Sequence, residues 1–350
     1  MNRLKSSLHL SKIIRFSIIC TLAFTLPAAG WVILQKSDPD IRDYMSITFT
    51  GAKTGWVVGS AAFEDFENPG FIGYTKNGGA TWEKSEIKLK SDLHGIYFLD
   101  ANHGWAVGAD GIIVSTNNGR DWERQVCKVD KVLELNTALK AVYFINKDVG
   151  YAVGQNDTII STKNGGRHWE TLQGGKVGNV GDDETSMFNA IQFLDENTGW
   201  IAGVRVFPAD KAQKTVIQKT TDGSMTWEMQ ETGKEDILED IFFLDASVGW
   251  AVGENGVILH TTNGGKKWEE QKSGTTETLR SVQFADKHTG WAVGGDFGVG
   301  IILSTNNGGK KWEIEEMAEE IQKIKMMNVF VLDKDTAWLV GSTGLILKSK

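Results

Sequence analysis

Short apolar runs alternate with polar turns along most of this chain, and the alternation keeps one order. Residues 249–268 show it most completely: Gly249-Trp250-Ala251-Val252-Gly253, then Val257-Ile258-Leu259, then Thr261-x-Asn263-x-Gly265-x-x-Trp268. The same order returns around Trp56, Trp105, Tyr151, Trp200, Trp291 and Trp338. Ahead of each copy stands an Ile/Val-x-Phe step, at 47–49, 96–98, 142–144, 191–193, 241–243 and 282–284, with Val331 in the Phe place of the last, 329–331. Alternation at period 2 predicts strands with one apolar face. Each copy therefore predicts four strands: the Ile/Val-x-Phe step, the Gly-Trp run, the short apolar run, and a last strand starting at the closing Trp. A repeat period in the forties indicates a propeller, a solenoid or an array.

The connection between third and fourth strands is the most specific text. It reads Thr75-x-Asn77-x-Gly79-x-x-Trp82, Ser115-x-Asn117-x-Gly119-x-x-Trp122, Thr162-x-Asn164-x-Gly166-x-x-Trp169, Thr220-x-Asp222-x-Ser224-x-x-Trp227, then the copy ending at Trp268, and Thr305-x-Asn307-x-Gly309-x-x-Trp312. An Asn or Asp oxygen can accept backbone N–H bonds inside its own turn, and Gly supplies positive φ. This turn resembles the Asp-box, or BNR repeat, of sialidases and related β-propellers, with Asn in place of the Asp in all copies but Asp222. The 13 tryptophans divide without remainder. Trp56, Trp105, Trp200, Trp250, Trp291 and Trp338 fill the Gly-Trp place, and Trp31 joins the six turn residues as a seventh closing Trp.

Trp31 matters for topology. The run from Trp31 to Ser37 reads like the strand after Trp268, while the last copy stops at Ser349, where a turn Thr or Ser belongs. The chain thus begins with a fourth strand and ends with a third. The expected fold is all-β: a seven-bladed propeller of four-stranded blades over 31–350, closed by pairing the N-terminal strand with the C-terminal ones. Closure removes the edges that a linear array would expose.

Spacing separates two kinds of connection. From the Phe place to the Gly-Trp place is 7 residues in every copy, and from turn Thr or Ser to closing Trp also 7. The other two connections vary in length, and in a four-stranded meander they share one face. Variable loops on a rigid scaffold are where binding is usually built. That points to Phe63, Glu64, Asp65, Phe66 and Glu67 in one long connection, Asp182, Asp183 and Glu184 in another, and Arg205, Phe207 and Lys211 in a third as candidate binding residues.

Composition adds a leader and removes some partners. Arg3, Lys5, Lys12 and Arg15 precede the apolar run 16–29 and the small residues Ala28-Ala29-Gly30. This reads as a secretory signal over 1–30, with an uncleaved membrane anchor as the alternative. The protein is accordingly expected outside the cytoplasm, in a periplasm, envelope or lumen. Residues 1–30 hold four basic groups and no acidic one, so the formal charge of −8 becomes −12 without them. Such a balance argues against nucleic acid or anionic lipid as a partner, and leaves membrane contact to the N-terminal segment if it is retained. None of the six histidines has metal spacing, and no cofactor motif is present. A monomer with a protein partner is expected.

With these repeats in place, the chain resembles the plant and cyanobacterial photosystem II stability/assembly factor family. The resemblance rests on Gly104-Trp105-Ala106-Val107-Gly108 with Thr116-Asn117-Asn118-Gly119, on Gly290-Trp291-Ala292-Val293-Gly294, and on their copies over 31–350. It implies a seven-bladed propeller, exported, assisting assembly of membrane complexes without catalysis, and binding through an arginine-rich patch. The chain departs from that patch, with only 8 Arg, dispersed. The alternative class is an Asp-box glycoside hydrolase or carbohydrate-binding propeller. A sialidase-like site needs an Arg cluster, a Tyr nucleophile and an acid, which this sequence does not assemble; a two-carboxylate site would draw on Glu64, Asp65, Glu67 and 182–184.

Overall fold

The computed structural model describes residues 30–62, 67–129, 133–174, 184–207, 212–296 and 298–350. Seven four-stranded antiparallel sheets form the blades of a β-propeller. Blade 5 is representative, with strands Leu238–Phe243, Gly249–Gly253, Ile258–Thr261 and Glu269–Gln271 in sequence order across the sheet. The first strands are Ile41–Phe49, Leu93–Phe98, Leu139–Phe144, Thr185–Phe193, Leu238–Phe243, Leu279–Phe284 and Met326–Asp333. Each contacts the first strand of the next blade, so together they surround the axis.

Aromatic rings join the blades. The Gly-Trp ring of one blade stacks flat on the Phe of the next: Trp56 on Phe98 at 3.5 Å, Trp105 on Phe144 at 3.5 Å, Trp200 on Phe243 at 3.7 Å, Trp250 on Phe284 at 3.6 Å. Tyr151 keeps the stack on Phe193 at 4.4 Å. The closing Trp meets the same Phe edge-on, as Trp268 meets Phe243 at 84°. The Gly before each Trp follows from this packing. A Cβ on Gly104 would lie 2.3 Å from the Phe98 ring, and one on Gly249 would lie 2.6 Å from Phe243. In blade 7 Val331 stands where the other blades have the Phe ring, and the residue paired with it is Ala337. The smaller side chain leaves room for a methyl group where the other blades need none.

The ring closes as expected. Trp31–Gln35 pairs with Ile346–Ser349, Trp31 opposite Ser349, completing the seventh sheet. Trp338 of that blade stacks on Phe49 of blade 1 at 3.8 Å and donates Nε1–H to Gly78 O at 2.9 Å. Trp31 takes a closing-Trp role. Trp169, Trp268 and Trp312 donate Nε1–H to Gln125, Gln230 and Gln271 of the preceding blade. Trp31 donates to Glu315 Oε2 at 2.8 Å, the same place in blade 6 with Glu for Gln.

Two sequence expectations need correction. In the second turn the bonding pair is Thr116 and Asn118, not Ser115 and Asn117: Asn118 Oδ1 accepts the N–H groups of Arg120 and Asp121 at 2.9 and 2.8 Å. This turn lacks one Gly, so the strand register puts Thr116 opposite Gly104 just as Thr261 stands opposite Gly249. Secondly, the stretch around Arg205 and Phe207 is a strand extension, not an open loop. Gly199–Phe207 and Ala212–Thr220 pair along their whole length, Phe207 opposite Ala212.

Candidate functional site

Antiparallel order puts the starts of all seven first strands on the face of the variable connections. Each start carries a buried side chain: Tyr44, Leu93, Leu139, Phe188, Leu238, Leu279 or Met326. The residue after it faces the axis, giving Met45, His94, Lys140, Asn189, Glu239, Arg280 and Met327 around a cavity of about 380 Å³. Five neighbouring blades, 2 to 6, contribute polar or charged side chains to this mouth. Blades 7 and 1 contribute two methionines.

The charged members are desolvated. Burial holds the Lys140 ammonium below its ordinary pKa, against the pull of Glu239. Burial pushes the Glu239 carboxyl up, against the attraction of Arg280 and Lys140. Burial first and Lys140 second lower His94, whose Nδ1–H donates to Leu139 O at 2.9 Å. Arg280 pairs with Asp296 at 3.3 Å. Among the described residues, Lys140 and Glu239 make no hydrogen bond or ion pair. Two opposite charges thus stand half-buried and unbonded in one cavity, where interactions with a ligand would be weakly screened.

Deeper polar groups clamp adjacent blades instead. Asp240 accepts the N–H of Val282 at 2.9 Å and of Ile241 at 2.8 Å, and burial raises its pKa to about 6. Asn328 holds the equivalent place in blade 7, accepting Ile47 N–H at 3.1 Å and donating to Ser281 Oγ at 3.1 Å. Gln192 bonds both the N–H and the carbonyl of Phe243. Asp240 is thereby committed to the scaffold and is not free for a ligand.

The residues singled out from sequence are only partly placed. Phe63, Glu64, Asp65, Phe66, Asp182, Asp183 and Lys211 lie outside the described residues, as does the leader 1–29. Glu67 and Glu184 are exposed, and Phe207 is half-buried. Arg205 donates Nε–H to Ser186 Oγ at 3.1 Å across its hairpin. None of these four lines the channel cavity. The mouth ring was missed, though the sequence holds a signal for it. One repeat position, just after the residue paired with the second Gly of the Gly-Trp run, changes among Met, His, Lys, Asn, Glu and Arg, while the residue before it is large and apolar or aromatic in every blade. Among the described residues no cluster of three His, Cys, Asp or Glu side chains is placed to hold a metal ion.

The turn residues do structural work. Thr261 Oγ1 accepts Gly265 N–H at 2.9 Å, and Asn263 Oδ1 accepts Lys267 N–H at 2.9 Å. Thr75 with Asn77, Thr162 with Asn164, Thr220 with Asp222 and Thr305 with Asn307 repeat this pattern. Gly265 has φ +89, and a Cβ there would meet Gln230 Oε1 at 1.8 Å.

Comparison with known proteins agrees with this architecture. The sequence model of the photosynthesis system II assembly factor YCF48 family matches residues 128–209, 217–279 and 268–350. Among solved structures, YCF48 bound to a D1 peptide superposes with TM-score 0.68 at 18% identity, over 91% of this chain and 96% of that one. YCF48 from Cyanidioschyzon merolae gives 0.66 at 16% identity over 92% and 98%. The WD40 propeller domain of Doa1 gives 0.63 at 12% identity over 92% and 97%. No curated protein matches the sequence.

Proposed function

The chain belongs to the photosynthesis system II assembly factor YCF48 family, and on that premise we propose that it is a non-catalytic, exported scaffold. It binds a segment of a protein partner at the channel mouth and serves assembly of a membrane or envelope complex. The observation that carries this reading is the unbonded pair Lys140 and Glu239, set in a cavity on the face of the variable connections. A propeller of this family with a peptide bound, the YCF48–D1 complex, supports a peptide as the class of ligand. Export is supported by the basic and apolar text of residues 1–29.

A scaffold needs no acid–base pair. Glu239 could hold a proton, but the neighbouring Asp240 accepts backbone bonds between two blades and cannot serve as a second catalytic carboxylate. Incubation with a panel of aryl glycosides and sialosides is expected to give no turnover above the uncatalysed rate. Turnover abolished by Glu239→Gln, Glu64→Ala or Asp183→Ala would replace the scaffold by a glycosidase. Binding itself is tested with a peptide array of membrane-protein loops and tails. Wild-type protein should retain a discrete set of peptides, and a Lys140→Ala/Glu239→Gln variant of unchanged melting temperature should lose them.

A further inference from the structure

A glutamine recurs at the seams between blades. Gln125, Gln230 and Gln271 each stand three residues after a closing Trp and reach the next blade through two bonds. Gln125 Oε1 accepts Trp169 Nε1–H at 3.1 Å, and its Nε2–H donates to Gly165 O at 3.3 Å. Gln230 joins Trp268 and Gly264 O at 3.2 and 3.0 Å, and Gln271 joins Trp312 and Gly308 O at 3.1 and 2.9 Å. Between blades 1 and 2 this place belongs to Ser85. Its N–H donates to Ile72 O at 2.9 Å, as Gln230 N–H donates to Ile217 O at 2.8 Å, but its hydroxyl accepts only Ile87 N–H at 3.4 Å. The facing turn is also shorter, with Gly119 where blade 3 has Gly165 and Gly166. The closing Trp nevertheless keeps its position: Trp122 meets Phe98 edge-on at 5.8 Å, as Trp169 meets Phe144. A cavity of about 480 Å³ fills the vacated space, walled by Ile72, Tyr74, Ile87 and Trp122. Trp122 is only 8% exposed, and its indole N–H makes no hydrogen bond among the described residues. Two other seams that lack the Gln are sealed. Leu34 and Leu172 hold its place there, and Trp82 and Trp227 donate within their own turns, to Gly79 O and Ser224 Oγ.

We propose that the cavity between blades 1 and 2 receives the carboxamide of a glutamine side chain carried by a partner polypeptide. The incoming group takes the place that the chain's own glutamines fill at three other seams. Its oxygen accepts Trp122 Nε1–H, a donor that is costly to leave unpaired when buried. Its NH2 is offered Gly119 O. Among the described residues that carbonyl accepts Trp56 Nε1–H only, at 2.7 Å, whereas Gly165 O accepts both Trp105 and Gln125. The methylenes of the side chain lie against Ile72, Tyr74 and Ile87. Charge selects the same chemistry. Arg120 at the rim is paired with Glu83 at 3.4 Å, and a carboxylate would face Glu86 and Asp121. A cation has nothing to bond at the indole, which only donates. None of the lining residues lines the channel, so the inference goes beyond the reading of the mouth and does not depend on it.

The test is an NMR titration of the full chain with isotope-labelled indole nitrogens. The probe is a blocked tripeptide, acetyl-glycyl-glutaminyl-glycine N-methylamide, compared with the same peptide carrying methionine or glutamate at its centre. The Trp122 indole N–H resonance, assigned with Trp122→Phe, should move downfield and saturate with the glutamine peptide. That peptide should bind at least about tenfold more tightly than the other two. Ser85→Gln should supply the carboxamide from within the chain. It should shift the Trp122 resonance without peptide, raise the melting temperature and abolish the response to the probe. Ser85→Leu, copying the sealed seams, should abolish the response without the downfield shift. Lys140→Ala with Glu239→Gln, at the mouth, should bind the probe as wild type does, which separates this site from the mouth. Equal affinity for the glutamine and methionine peptides, a wild-type titration in Ser85→Gln, or tighter binding of free glutamine than of the peptide would overturn the proposal.

Discussion

At one end of blade 5, Asn263 and Thr261 each accept a turn N–H at 2.9 Å, and the same bonds recur from blade to blade. At the other end, Glu239 makes no hydrogen bond or ion pair among the described residues, and its counterparts around the ring are His94, Lys140, Asn189 and Arg280. Both ends belong to the same repeats. The turn end is fixed by bond geometry, and a residue that breaks it costs stability. The mouth end is fixed only by having a buried neighbour on each first strand, so its side chains are free to differ. Freedom at a rigid, enclosed position is what a binding site requires.

The comparison is broken most severely at the point where the ring closes. Trp31→Ala removes a half-buried indole and the donor to the half-buried Glu315 Oε2, so it should cost about 3 kcal/mol. Deletion of 31–35 should cost more, because it strips the outer strand from blade 7. Urea denaturation of the two variants checks both. Equal stability with and without this strand would mean that closure does not rest on Trp31.

Turn substitutions come next. Asn263→Ala and Gly265→Val should each destabilise by about 1–3 kcal/mol, through lost turn bonds and through forced φ with overlap against Gln230. Partner binding should persist wherever the variant remains folded. Calorimetry with a binding assay on the same samples reads both quantities.

A smaller effect depends on pH. Asp240 is raised to about 6, mainly by burial. A carboxyl whose folded pKa lies above its unfolded one favours folding fully below the unfolded value, and this contribution is lost as pH rises through the folded value. Wild type should therefore gain about 1–2 kcal/mol relative to Asp240→Asn as pH falls from about 7 to about 5. Asn at this place is compatible with the fold, as Asn328 shows. His94 and His260 are lowered by burial and act in the opposite sense, so the difference between the two proteins, not the slope of either, is the measured quantity. A difference that does not change with pH would place the Asp240 carboxylate in a more solvated setting than its bonds indicate.

The smallest expected stability change is at the mouth. Lys140→Ala with Glu239→Gln removes two unbonded, desolvated charges and should alter stability by less than about 1 kcal/mol. Peptide binding should fall at least tenfold, read by fluorescence anisotropy. A large loss of stability would make the mouth pair part of the scaffold, like Asp240.

The repeats made the architecture legible because each rests on local, chemically demanding pairs. Gly precedes Trp where a Phe ring leaves no room, and Ala337 replaces it where Val331 stands. Closure was legible from Trp31 and Ser349 because the strand text before the first repeat completes the last. The second turn misled by one residue, since Asn117 and Asn118 both suit the pattern and only the strand register decides between them. The site was less legible. Long connections drew attention to charged and aromatic runs, whereas the mouth is made by seven residues on seven different strands, separated by forty or more positions in the chain. Their proximity is a property of the closed ring and of no local segment.

The division of labour between the faces is tested most directly by photo-crosslinking in the native membrane fraction. A benzophenone side chain placed at Asn189, in the mouth, is compared with one at Thr262, in the turn of blade 5. The account predicts a discrete protein adduct from position 189, absent from position 262. The same adduct from position 262, or none from position 189, would contradict it.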